Sequence, residues 1–170
     1  EFWQMCKLVE AEDGFVGYSV QYQEETRVYT PVEVTAMLMS RLKETTKNFT
    51  SCSAHECVIS VPSYFSDVHR AAVLNATSVA GLSCLRVMND HTATALGYGI
   101  YRTADFDEAT PTNVVFCAMG HAYFSCSVVQ FLKNQLVVLS ESNTTAVSGR
   151  EIEQAMMLKC KEAFLKTNPK

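Results

Sequence analysis

The 170-residue chain has no apolar run approaching the roughly twenty residues that a membrane-crossing helix needs. Its start also lacks the basic, apolar and small-residue succession of a secretory signal, although it opens on Glu1 rather than Met. Positive charge is scarce: 14 Lys and Arg stand against 18 Asp and Glu, for a net charge of −4. A nucleic-acid partner needs a basic footprint, so neither nucleic acid nor a membrane is expected as a partner. No internal repeat and no low-complexity segment is present, which excludes solenoids and biased tails. Once these are removed, what remains is ordinary globular composition, 48% apolar and 19% charged. That is enough for one good-sized domain or two small lobes.

Cysteine is the one abundant special residue, at positions 6, 52, 57, 84, 117, 126 and 160. The count is odd, the spacing irregular and most neighbours apolar, which favours reduced, buried thiols over a disulfide framework. Cys52, His55 and Cys57 have the look of a metal half-site, but no second half follows, and no metal site is expected.

Chain organisation follows from periodicity and punctuation. Met5 to Val9 and Phe15 to Tyr22 flank "EAEDG" and predict a hairpin. In "TPVEVTAMLMSRLKETTK" Thr30 can cap, Pro31 suits the first helical position, and Glu33 completes a capping box. Val34, Met37, Leu38 and Leu42 then recur at helical spacing and are expected to form its buried face. "ECVISVP" reads as a buried strand, Cys57 to Val61, stopped by Pro62. Ser66 opens a second helix with the stripe Val68, Ala71, Ala72, Ala76 and Val79, and Gly81 suits a left-handed stop. Cys84 to Met88 is a further strand, followed by the small-residue helix "DHTATALGYGIY". Strand, helix, strand, helix on short links predicts a crossover and parallel pairing.

"RTADFDEATPT" is polar, acidic and broken by proline, so it is expected to be a linker. Three β-like runs follow, at 113–118, 123–132 and 135–140, with Lys133-Asn134 as a two-residue turn. "SGREIEQAMMLKCKEAFLK" closes the chain as a helix with an indistinct apolar face. The expected organisation is 1–29 hairpin, 30–101 first-lobe βαβα segment, 102–112 linker, and 113–170 second-lobe β-meander and helix.

"CVISVPSYFSDVHRAAVLNATSVAGLSCLRVMNDHTATALGYGIY" resembles the nucleotide-binding domain of the heat shock protein 70 family. "NVVFCAMGHAYFSCSVVQF" resembles its second phosphate loop, and "VSGREIE" stands where the family has a glycine pair. The Met119-Gly120-His121 corner is similar to that of the larger heat shock protein 110 branch, over about residues 30–153. The resemblance implies an α/β fold of actin-like ATPase (ribonuclease-H-like) lobes, here incomplete, with mixed sheets and flanking helices. It implies ATP or ADP with Mg in a full-length parent, and possession of neither by this chain alone is an open alternative. It implies an Hsp70-type chaperone and unfolded polypeptides as partners, and a cytoplasmic location with the nucleus as an alternative. N-x-T triplets at Asn48, Asn75 and Asn143 keep the endoplasmic reticulum as a lesser one.

Residue by residue, the resemblance places Pro62 and Arg70 on an interdomain switch. Asp90 falls on a glutamate that helps position Mg-bound water, where it would be the catalytic residue. Gly120, His121, Ala122, Tyr123, Ser148 and Gly149 fall on phosphate-binding positions, with Gly120 supplying backbone freedom for close approach. Ala118 replaces the family's Mg-orienting aspartate and Tyr123 its loop threonine, so ATP hydrolysis is not expected. The family's first phosphate loop has no match here, and isolated chains are expected to associate. Two readings stay open: an ATP-binding co-chaperone with a vestigial nucleotide role, or a degenerate structural or interaction fragment.

Overall fold

The computed structural model describes residues 6–12 and 14–168; Met5 and Asp13, both within the predicted hairpin, lie outside them. The described residues form three sheets and four α-helices, a mixed α/β architecture. None of these helices is long and apolar enough to cross a membrane. The chain divides into two compact units, Glu1–Val61 with Phe65–Met88, and Pro62–Tyr64 with Asn89–Lys170.

In the first unit, β1 (Lys7–Glu10) and β2 (Val16–Tyr22) form the expected antiparallel hairpin, and β3 (Glu25–Tyr29) adds a third strand. That strand is unannounced in the sequence because its turn carries no turn residue. Gln23 and Glu24 both adopt positive φ, 49° and 68°, in a two-residue loop that Gly or Asn would normally fill. Helix α1 (Pro31–Thr50) begins as the sequence predicts. Glu33 N donates to Thr30 Oγ1 at 3.3 Å, and Thr30 N donates to the Glu33 carboxylate at 2.7 Å.

The buried face of α1 corrects the sequence expectation. Val34, Met37, Leu38 and Leu42 are 41–60% exposed, whereas Ala36 is buried with Val32 and Met39 beside it. Helix α2 (Asp67–Val79) shows the same shift. Its Ala76 is fully buried and Ala80, just beyond its end, nearly so, while Val68 and Val79 are exposed and so is Ala71. Helical spacing identifies a stripe but not which stripe meets a neighbour. Here small side chains let the α1 and α2 backbones approach, and the large ones are left outside that seam. Gly81 follows α2 with φ at 67°, the left-handed stop expected of it.

β4 (Glu56–Val61) and β5 (Ser83–Asn89) form the two-stranded sheet, with α2 between them in the chain. Ser83 N donates to His55 O at 2.8 Å. This bond ties the starts of the two strands together, as parallel pairing requires. β4 was expected to be buried throughout, but its residues alternate between exposed and half-buried and only Val61 is buried.

In the second unit, α3 (Asp90–Ile100) packs on an antiparallel meander of β6 (Thr112–Met119), β7 (Phe124–Leu132) and β8 (Gln135–Thr144). Lys133-Asn134 makes the predicted two-residue turn, pairing Leu132 with Gln135. β7 alternates strictly, burying Ser125, Ser127, Val129 and Phe131 on one face. Phe131 stacks on Phe106 at 4.8 Å between ring centroids and meets Tyr98 and Phe116 at its edges. Phe106 comes from the polar stretch 102–112, which therefore contributes a core residue directly after its single 3-10 turn, Thr103–Asp105. A Cβ on Gly99 would sit 3.0 Å from the Phe131 ring, so the bare glycine lets α3 pass close over that ring. Helix α4 (Gly149–Thr167) buries none of its residues, in keeping with its indistinct apolar face.

The thiols also differ from expectation. None of the seven cysteines is buried, and Cys52, Cys117 and Cys160 are exposed. Cys117 and Cys126 share a sheet face, as directly paired residues with sulfurs 3.5 Å apart. They lie on the face of the meander opposite the Val129–Phe131 side, which explains their exposure.

Candidate functional site

β6 and β7 are joined by the corner His121-Ala122. Gly120 N donates to Tyr123 O at 2.9 Å, which closes the hairpin one pair beyond Met119 and Phe124. The start of α4 sits directly against this corner. Gly149 N donates to Gly120 O at 2.9 Å, and Arg150 N donates to His121 O at 3.0 Å. Ser148 is fully buried, and its Oγ lies 2.8 Å from His121 O and against the Glu151 carboxylate, with one proton to share between them. The Ser148 hydroxyl, then Arg150, hold the Glu151 carboxyl below the usual carboxylate range.

Ser148 occupies the N-cap position without capping an amide of its own helix with its side chain. One sequence expectation changes here. Gly120 has no left-handed φ, and a Cβ there would meet only Tyr123 O at 3.5 Å. The tighter glycine is Gly149. A Cβ there would lie 3.3 Å from Gly120 O and 3.4 Å from His121 Cα, so this glycine lets the helix abut the corner.

Free amides at a helix N-terminus favour anions. At α4 two of these amides already donate to corner carbonyls, which present negative rather than positive charge. The corner and the helix therefore satisfy each other. Four of the predicted residues, Gly120, His121, Ser148 and Gly149, meet at this contact; Ala122 is exposed at the turn.

Tyr123 points elsewhere. Its phenol donates to Asp90 Oδ2, and its ring meets Tyr64 edge-on at 5.3 Å. Burial, then the bond to the Asp90 carboxylate, push the phenol above the ordinary tyrosine range, so it remains a donor. Asp90 opens α3, and its Oδ1 accepts from His91 N at 2.7 Å. His91 is 2% exposed, with Nδ1 3.0 Å from Ser127 Oγ. Its Nε2, Ser125 Oγ and Glu141 Oε1 are buried side-chain atoms with no hydrogen-bond partner among the described residues. Glu141 is the cross-strand partner of Ser127, so both project from the same face of the meander. Sequence reasoning singled out Asp90 and Tyr123 but missed His91 as a buried group and missed Glu141 entirely.

Pro62 and Arg70 fall in different compact units. Pro62 directly follows β4, and Arg70 is half-buried on α2 with Nε donating to Phe65 O at 3.1 Å.

A family description, Hsp70 protein, matches residues 3–169. The chain belongs to the Hsp70 family. The match extends beyond the stretch where the motifs are plainest and takes in the N-terminal hairpin. Heat shock 70 kDa protein 4 of Rattus norvegicus is 43% identical over 152 residues, 88% of this chain and 18% of that protein. The protein of the same name from Homo sapiens is 42% identical over 152 residues, again 88% and 18%. Heat shock protein 88 of Dictyostelium discoideum is 39% identical over 154 residues, 91% of this chain and 20% of that protein. This Hsp70-family chain thus spans about one fifth of the length of the curated relatives it matches. Its relatives are of the larger 110 branch, and its mixed α/β fold is that of a partial actin-like ATPase domain.

The Mg-nucleotide that the family implies does not fit the residues at this corner: Ala118 offers no ligand atom, and two α4 amides are engaged by corner carbonyls.

Proposed function

We propose that this chain serves a co-chaperone of the 110 type, which promotes nucleotide exchange on a partner Hsp70-type chaperone and holds unfolded protein. Its own second phosphate loop acts as a packing joint rather than as a hydrolytic element. The observation that carries the structural role is the pair of bonds from Gly149 N and Arg150 N to the carbonyls of Gly120 and His121. A phosphate at this corner would face those carbonyls and would have to displace them from the helix. The other phosphate-loop positions, Ala122 and Tyr123, then serve the turn and the Asp90 contact. Pro62 and Arg70 remain the proposed interdomain switch. The chain is proposed to act in the cytoplasm.

Isothermal titration of the chain with Mg-ATP tests the structural role: no saturable heat is expected, and a micromolar or tighter constant would overturn it. The co-chaperone role is tested separately, by nucleotide release from an Hsp70-type chaperone with and without the full-length parent. Acceleration is expected. No acceleration favours the second reading, an interaction fragment without a nucleotide role, which the exposed Leu38 and Leu42 of α1 favour.

A further inference from the structure

Three ionisable side chains converge beneath α3. A carboxylate oxygen of Asp90, an imidazole nitrogen of His91 and a carboxylate oxygen of Glu141 all lie within 4.8 Å of one another. Two carboxylates this close repel unless positive charge lies between them. The buried atoms around them are arranged for such a charge. Ser127 Oγ lies against His91 Nδ1, so an Nδ1–H donating to that hydroxyl leaves the Nε2 lone pair free, the arrangement of a metal-binding histidine held by an outer partner. His91 is 2% exposed, and among the described residues neither its Nε2 nor Glu141 Oε1 has a hydrogen-bond partner. Asp90 is itself oriented from two sides, by His91 N and by the Tyr123 phenol.

We propose that Asp90, His91 and Glu141 bind a divalent first-row transition ion through one imidazole nitrogen and two carboxylate oxygens, with water completing the shell. The donor set decides the class of ion. Mg and Ca take oxygen shells, soft ions take thiolates, and an imidazole beside two carboxylates suits Mn, Fe or Zn. Ser127 is a positioning residue that acts through His91. The site stands apart from the co-chaperone reading, because it needs neither a nucleotide nor a partner.

Manganese is the probe, since seven free thiols would compete for zinc. Titration of the reduced chain with Mn²⁺, followed by the electron paramagnetic resonance signal of the free ion, is expected to show one saturable site. His91→Ala and the isosteric Glu141→Gln should each weaken it by more than about tenfold, and Ser127→Ala by about tenfold. Circular dichroism melting identifies a variant that fails to fold, and Glu141→Gln, which keeps shape and volume, then decides. Several outcomes would overturn the site: no saturable binding tighter than millimolar, as a simple imidazolium between the carboxylates would give; unchanged affinity in a folded Glu141→Gln; or full displacement of Mn²⁺ by an equal concentration of Mg²⁺.

Discussion

In the unit built on α1 and α2, the buried helix seam consists of Ala36, Ala76 and Ala80 with Val32 and Met39 beside it, and Val34, Leu38, Leu42, Val68 and Val79 of the same helices are exposed. In the unit built on α3 and the β6–β8 meander, Phe106, Phe131 and Val129 fill the centre, and four buried polar residues, His91, Ser125, Ser127 and Ser148, lie in that same unit. One unit is held by close backbone approach and the other by large rings. The difference teaches where chemistry can reside. Among the described residues the first unit buries one polar side chain, Thr77, whose hydroxyl donates to Leu74 O within its own helix, whereas a sheet face with rings at one end can hold serines, an imidazole and carboxylates at the other.

The largest expected effect is in the ring-filled unit. Phe131→Ala should cost about 3–5 kcal/mol by removing a buried ring with three aromatic neighbours. Urea unfolding followed by near-ultraviolet circular dichroism measures it, and a loss below about 1 kcal/mol would remove Phe131 from the core. In the alanine seam the sign of the size change reverses. Ala76→Leu should cost about 1–3 kcal/mol by forcing α1 and α2 apart. Leu38→Ala on the exposed face should stay within about 0.5 kcal/mol. If Leu38→Ala were the costlier of the two, the sequence-based choice of face would be restored.

The smallest effect is a pH dependence around Tyr123. Its folded phenol ionises above the unfolded value near 10, so its contribution is fully present below about pH 10. Above that the unfolded chain releases its proton first, and stability falls as pH rises toward the folded value. Tyr123→Phe should flatten this alkaline loss, read as the difference between the two chains in urea midpoint across pH 9 to 11. An identical slope in both chains would show that the Asp90 contact does not shield the phenol.

Much of this was legible in the residues. The Thr30-Pro31-Glu33 start, the Gly81 stop and the Lys133-Asn134 turn each depend on neighbours within a few positions, and each has its expected form. The third N-terminal strand was not legible, because Gln23 and Glu24 adopt positive φ without the residues that usually announce it. The site was half legible. Asp90 and Tyr123 could be singled out, but Glu141 lies 50 positions from His91, and only the β7–β8 register brings its carboxylate under α3.

The residues by themselves carried the family and most of the helix and strand types, because local propensity and motif identity are properties of contiguous residues. Tertiary structure decided which helix faces are buried, that α4 abuts the Gly120-His121 carbonyls through Gly149, and that an imidazole and two carboxylates share one space. Each of these depends on the distance between residues far apart in the chain, and periodicity carries no information about that distance.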